Sequence, residues 1–144
     1  MNIYIKLIPF LLLYFIISII FAPNEFVADE SRYVMYAKNL LVGYYSSPAP
    51  NIDLWSGRGY PAVLAPFLFF KLPLMVLRLL NGCFLYFALV IINKSINIYT
   101  SGKGVSFYTI LLGLYFPVYM SLPYIMTECL AWLLISIICY LFIK

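Results

Sequence analysis

IYIKLIPFLLLYFIISIIFAPNEFVADESRYVMYAKNL, residues 3–40, changes character once, and that change decides how the chain folds. Residues 3–22 are about 20 positions of nearly unbroken apolar side chain, which at 1.5 Å per residue matches a hydrocarbon core of roughly 30 Å. Residues 21–40 then hold three of the chain's five carboxylates, two of them adjacent at Asp29 and Glu30. Lys6 near the start of the apolar run also fits a signal peptide. The run is long for one, however, and Ile20-Phe21-Ala22 is a poor cleavage site, so it is read as a retained span.

The rest of the chain shares the character of its start. Of 144 residues, 65% are hydrophobic, 19% aromatic and 10% charged, with a mean hydropathy of +1.00. Soluble domains carry about half apolar and a quarter charged residues, so the composition predicts an all-α, polytopic membrane protein whose spans satisfy their own backbones as helices. The net charge of +4 is spread thinly. Without a dense basic patch it excludes nucleic acid and favours anionic headgroups or phosphate-bearing ligands. The three cysteines lie in apolar runs and histidine is absent, which argues against structural zinc and for buried thiols.

Four apolar segments are predicted to span, at about 3–22, 72–92, 105–122 and 127–143, in one membrane domain with an external loop at 23–71. Pro117 is predicted to kink the third. Lysines 6, 94, 103 and 144 fall on one side without acids, so that side is read as cytoplasmic. The long loop also carries Arg32, Lys38, Arg58 and Lys71, and the orientation therefore leans on the first span and the short basic loop at 93–104. All five acids, Glu25, Asp29, Glu30, Asp53 and Glu128, then face outward. The Asn93-Lys94-Ser95 sequon is placed on the inner side, where it means nothing. The expected location is a multi-pass plasma membrane protein, or an inner membrane one in a bacterium.

Residues 29–41 are predicted to form a helix that stops near Gly43. Its apolar stripe is Tyr33, Tyr36, Ala37 and Leu40, with Ser31, Lys38 and Asn39 facing away, and Asp29 and Glu30 straddle the start of the stripe. Two readings stay open: a helix cap with a dipole-matching acid, or a carboxylate made basic by desolvation. Residues 54–70, LWSGRGYPAVLAPFLFF, read as a loop dipping to the bilayer surface. Arg58 there either binds a phosphate with its planar fork or snorkels. Thr127-Glu128 is either a cap or part of a cleft shared with Asp29 and Glu30.

The order of one span, ADESRYVMYAKNLLVGYY, GRGYPAVLAPF, LRLLNG and LPYIMTECLAWLL resembles the N-terminal part of GT-C fold glycosyltransferases of the protein O-mannosyltransferase and aminoarabinose-transferase superfamily. The resemblance implies a transferase that moves a sugar from a polyprenyl-phosphate carrier to an acceptor hydroxyl on the non-cytoplasmic face. The family's catalytic acid falls on Asp29 with Glu30 beside it, and Glu128 of the Thr-Glu pair becomes a second acid of the site. Arg58, Arg32, Lys38 and Tyr60 become the candidates for donor phosphate and substrate binding, and Gly59-Tyr60-Pro61 a loop-shaping element. Arg78 takes a structural role. Some members of the class use a divalent cation and others none. If one is used here, Asp29 and Glu30 are its candidate ligands through oxygen. Family members are several times longer, so the resemblance also implies an N-terminal portion whose partner is the remainder of a larger transferase.

A non-catalytic reading competes: a small four-span protein that binds lipid or partner helices, its acids serving as caps and interfacial charges. A transporter fragment ranks lower, because the charge inside a span, Arg78, sits near one end and marks no midplane pathway.

Overall fold

A computed structural model describes residues 2–46, 52, 57–100, 102 and 104–144. Among these, every regular element is a helix: α1 (Ile3–Lys6), α2 (Ile8–Ile20), α3 (Glu30–Leu41), α4 (Gly59–Phe69), α5 (Leu74–Thr100), α6 (Phe107–Gly113), α7 (Phe116–Tyr119) and α8 (Glu128–Ile143). The all-α class is therefore observed. Among the described residues, only α5 is long and apolar enough to cross a membrane by length and composition; α2, α4 and α8 are shorter apolar helices.

The first apolar run is interrupted at Leu7, where the ladder restarts with Pro9 in the opening turn of α2. Helix α3 begins as the sequence predicts and is ended by Gly43, whose φ of +89° suits a residue without Cβ. The surface loop expected at residues 54–70 is corrected over its described part. Residues 59–69 are helical, because Pro61 falls in the first turn, where no intrahelical donor is needed. Helix α4 packs on α3 through Val34, Ala37, Tyr60 and Leu64, with Leu77 of α5 and Ile125 closing the same core. A second core, around Tyr14, Leu85, Leu89, Leu122 and Cys129, joins α2, α5 and α8. Helix α5 runs eight residues past the end predicted at Ile92, because Asn93 points inward and is fully buried. Its amide donates to the Gly104 carbonyl, while its Oδ1 accepts from Ser106 N–H and the Thr109 hydroxyl.

The third predicted span, 105–122, is not a kinked helix but a broken one, and the chemistry of Pro117 explains why. Proline has no N–H, so the carbonyl four residues earlier, that of Gly113, loses its helical donor. Two tyrosine hydroxyls replace it: Tyr14 donates at 2.9 Å and Tyr119 at 2.7 Å. Next along this segment, Ser18 donates to the Leu122 carbonyl and Asn81 to those of Ser121 and Tyr124. The segment thus runs from the level of Asn93 to that of Asn81 with its carbonyls met by side chains of α2 and α5. A Cβ on Gly113 would lie 2.5 Å from the Phe10 ring, so this backbone also approaches α2 as only glycine allows.

Removing both hydroxyls, Tyr14→Phe with Tyr119→Phe, is expected to strand the buried Gly113 carbonyl and cost about 1–3 kcal/mol. Either single change should cost less, because one donor remains. Thermal melting of the purified protein in detergent reads the difference.

Candidate functional site

The three acids singled out in the sequence occupy three different environments, and Glu30 is the pivot. It opens α3 and is fully buried. Its Oε2 accepts from Val27 N–H at 2.8 Å; its Oε1 accepts from Ile125 N–H at 2.8 Å and from Arg78 Nε at 3.3 Å. Arg78 is itself 6% exposed and spends a second guanidinium nitrogen on the Pro23 carbonyl at 2.8 Å. One buried ion pair therefore ties the segment leaving α2, the start of α3, α5, and the turn that leads to α8. Such a pair persists only when its hydrogen bonds are completed, and here each partner makes at least one to backbone.

One turn along α5, Asn81 extends the knot. Three residues separate it from Arg78, so both side chains leave the same helix face. Its Oδ1 accepts from the Tyr60 hydroxyl at 3.3 Å while its amide holds the Ser121 and Tyr124 carbonyls. Burial, with Cys129 and Glu128 adding to it, pushes the Tyr60 hydroxyl well above the ordinary tyrosine value, so it stays protonated and donates. The Tyr33 ring meets Tyr60 edge-on at 5.3 Å between centroids. Tyr60 is thus a core residue of the α4–α5 contact with 3% exposure, not a group offered to a phosphate.

Asp29 is the opposite of its neighbour. It holds the N-cap position of α3, yet its carboxylate caps nothing, which sets aside the side-chain cap read from the sequence. Ala28 before it is forced to φ +51°, a conformation that costs a residue with Cβ of the order of 1 kcal/mol. This turn sends the Asp29 side chain outward, half exposed, to pair with Arg32 at 2.9 Å. Glu30, with no exposure and both oxygens already engaged, cannot share a cation with Asp29. The adjacent acids therefore do not fit a two-carboxylate metal site, and the described residues contain no cluster of three or more metal-ligating side chains.

Glu128 starts α8 and is exposed on a cleft of about 290 Å³, facing Tyr115, Pro117 and Trp132. Thr127 before it does not cap the helix with its side chain. Asp29 is not among the residues that line this cleft. The hydrogen bond from Ile125 N–H to the Glu30 carboxylate links the two regions, but Glu30 is fully buried and does not line the cleft either. Trp132 was legible as a neighbour of Glu128, being four residues on along one helix; Tyr115 was not, because the break that presents it depends on α2. The cations are arranged near α3 and α4: Arg32 on Asp29, Lys38 exposed, and Arg58 with its guanidinium 5.0 Å from the centre of the Tyr45 ring. Asp53 lies outside the described residues.

Comparison with protein-family models, curated proteins and solved structures finds no match for the chain.

Proposed function

We propose that the chain is a membrane-embedded glycosyltransferase module that moves a sugar from a polyprenyl phosphate to an acceptor hydroxyl, with Asp29 as its catalytic base. In the membrane, α5 crosses, and α1–α2, the broken 105–122 segment and α8 line up beside it as the other three passes. Non-helical backbone at that depth is tolerated where protein covers it, and the carbonyl partners from Tyr14, Ser18 and Asn81 supply the cover. The α3–α4 layer with the Pro123 turn then lies at the outer membrane face.

One observation carries the reading: Asp29 is a half-exposed carboxylate that makes only a solvent-open pair with Arg32, presented by a strained turn that the buried Glu30–Arg78 pair anchors. In the reaction the acceptor oxygen bonds to the anomeric carbon as the bond from that carbon to the phosphate oxygen breaks. The acceptor's proton goes to Asp29, and the electron pair leaves with the lipid phosphate. Arg32, Lys38 and Arg58 supply the positive field for that leaving group. Glu30 is a positioning residue in this scheme. Arg32 also restrains Asp29 in the resting state, and incoming phosphate competes for it.

The test is transfer of tritiated sugar in membranes containing the chain, with polyprenyl-phosphate mannose and polyprenyl-phosphate aminoarabinose as probes. Label should leave the carrier in a manner that depends on Asp29. Release unchanged by Asp29→Asn would overturn the assignment.

A further inference from the structure

The Glu128 cleft takes no part in the transfer scheme, and its lining differs from the cationic surface beside Asp29. Its walls include the aromatic side chains of Tyr115 and Trp132 and the thioethers of Met120 and Met126, with no lysine or arginine among them. Glu128 lines the same cleft and is exposed, and among the described residues its carboxylate makes neither an ion pair nor a hydrogen bond. The amino end of α8 sets roughly half a positive charge behind that acid. This offsets the carboxylate only in part, so the cleft stays electronegative. An anion is repelled there. A divalent metal ion needs several oxygen ligands, and the described residues gather no cluster of three or more metal-ligating side chains. A neutral ligand leaves the carboxylate without a counter-charge.

We propose that this cleft binds a small primary amine in its ammonium form, with the nitrogen on Glu128 and a short apolar body against the aromatic and methionine walls. An organic cation is the class that all of the lining serves: the carboxylate by charge, the rings by their quadrupole and the thioethers by their polarizable surface. The cavity measures about 290 Å³, at the small end of ligand sites, which run from roughly 300 to 1,000 Å³, so the occupant is compact. A primary ammonium is preferred to a quaternary one because its N–H groups hydrogen-bond to the carboxylate as well as balancing its charge. The proposal uses neither Asp29 nor sugar transfer and stands apart from that reading.

Trp132 is a built-in reporter, because the chain has two tryptophans and Trp55→Phe leaves only this one. The Trp55→Phe protein, held in a non-ionic detergent that carries no amine, is titrated with butylammonium, butyltrimethylammonium, butanol and butyrate while Trp132 emission is followed. Butylammonium should give a saturable change with a Kd about tenfold lower than that of butanol, the equivalent of one charge-assisted hydrogen bond. Butyltrimethylammonium should fall between the two and butyrate should give no saturable change. Added salt should weaken butylammonium and leave butanol unmoved. Glu128→Gln should bring butylammonium to the affinity of butanol, while Asp29→Asn leaves the preference intact. Equal affinity for butylammonium and butanol, no saturable response to butylammonium, tighter binding of the quaternary amine, or a preference unmoved by Glu128→Gln would overturn the proposal.

Discussion

Replacing Arg78 with leucine is expected to cost about 3–5 kcal/mol of stability, because it leaves the Glu30 carboxylate buried without its cation. The geometry makes that loss hard to relieve. Glu30 is fully enclosed, and its two backbone donors, Val27 and Ile125, belong to segments that the same carboxylate holds in place. The Pro23 carbonyl loses its donor as well. Arg78→Lys should recover only part of the loss, since an ammonium on a flexible stem does not reproduce a fork that reaches Glu30 through Nε and Pro23 through a terminal nitrogen. Adding Glu30→Leu to Arg78→Leu removes the stranded charge, so the double variant should melt above the Arg78→Leu single. It should still melt below the wild type, because the Val27 and Ile125 amides remain without an acceptor. Thermal or denaturant unfolding in detergent orders the four proteins; a double variant no better than the single would show that the charge is not what costs.

Asp29→Asn is expected to cut sugar transfer by about 100- to 10,000-fold, the usual contribution of a general base, with almost no change in stability. The second half of that expectation follows from exposure. Asp29 and Arg32 keep 49% and 34% of their side-chain surface exposed, and an ion pair so open to solvent contributes about 0–1 kcal/mol. Asparagine retains an acceptor for Arg32 and occupies the same volume. A deficit in transfer with an intact melting curve would therefore belong to proton removal and not to folding. Swapping to Asp29→Glu keeps the carboxylate but moves it by one methylene, and a positioned base should lose much of its rate to that shift as well.

Much of the fold was legible because local rules govern it. Helix α3 has a start at Asp29 and a stop at Gly43, and the apolar runs made α2, α5 and α8 plain. Helix α4 was hidden by Pro61 and Pro66, which read as loop punctuation until Pro61 is seen to sit where a helix needs no donor. The third span failed as a prediction for a different reason. Pro117 marks a disturbance, but whether the helix kinks or breaks depends on donors for the Gly113 carbonyl, one of which comes from Tyr14, 99 residues away. The acid pair shows the same limit at the candidate site. Asp29 and Glu30 are equivalent as letters, and one residue of helical rotation, about 100°, sends one into the core and the other to solvent. Arg78 and Asn81, three apart, share one face of α5, yet their partners, Glu30, Pro23, Tyr60 and the turn at residues 121–125, are set by tertiary packing alone.

The central proposal is a division of labour between adjacent acids, in which Glu30 holds the fold together and Asp29 takes the acceptor's proton. Its most direct measurement is transfer activity and melting midpoint determined together on Asp29→Asn, reconstituted beside the wild type in the same membranes. A wild-type midpoint with transfer reduced at least about 100-fold is the expected result. A variant that transfers sugar normally, or one that loses activity only in step with its stability, would contradict it.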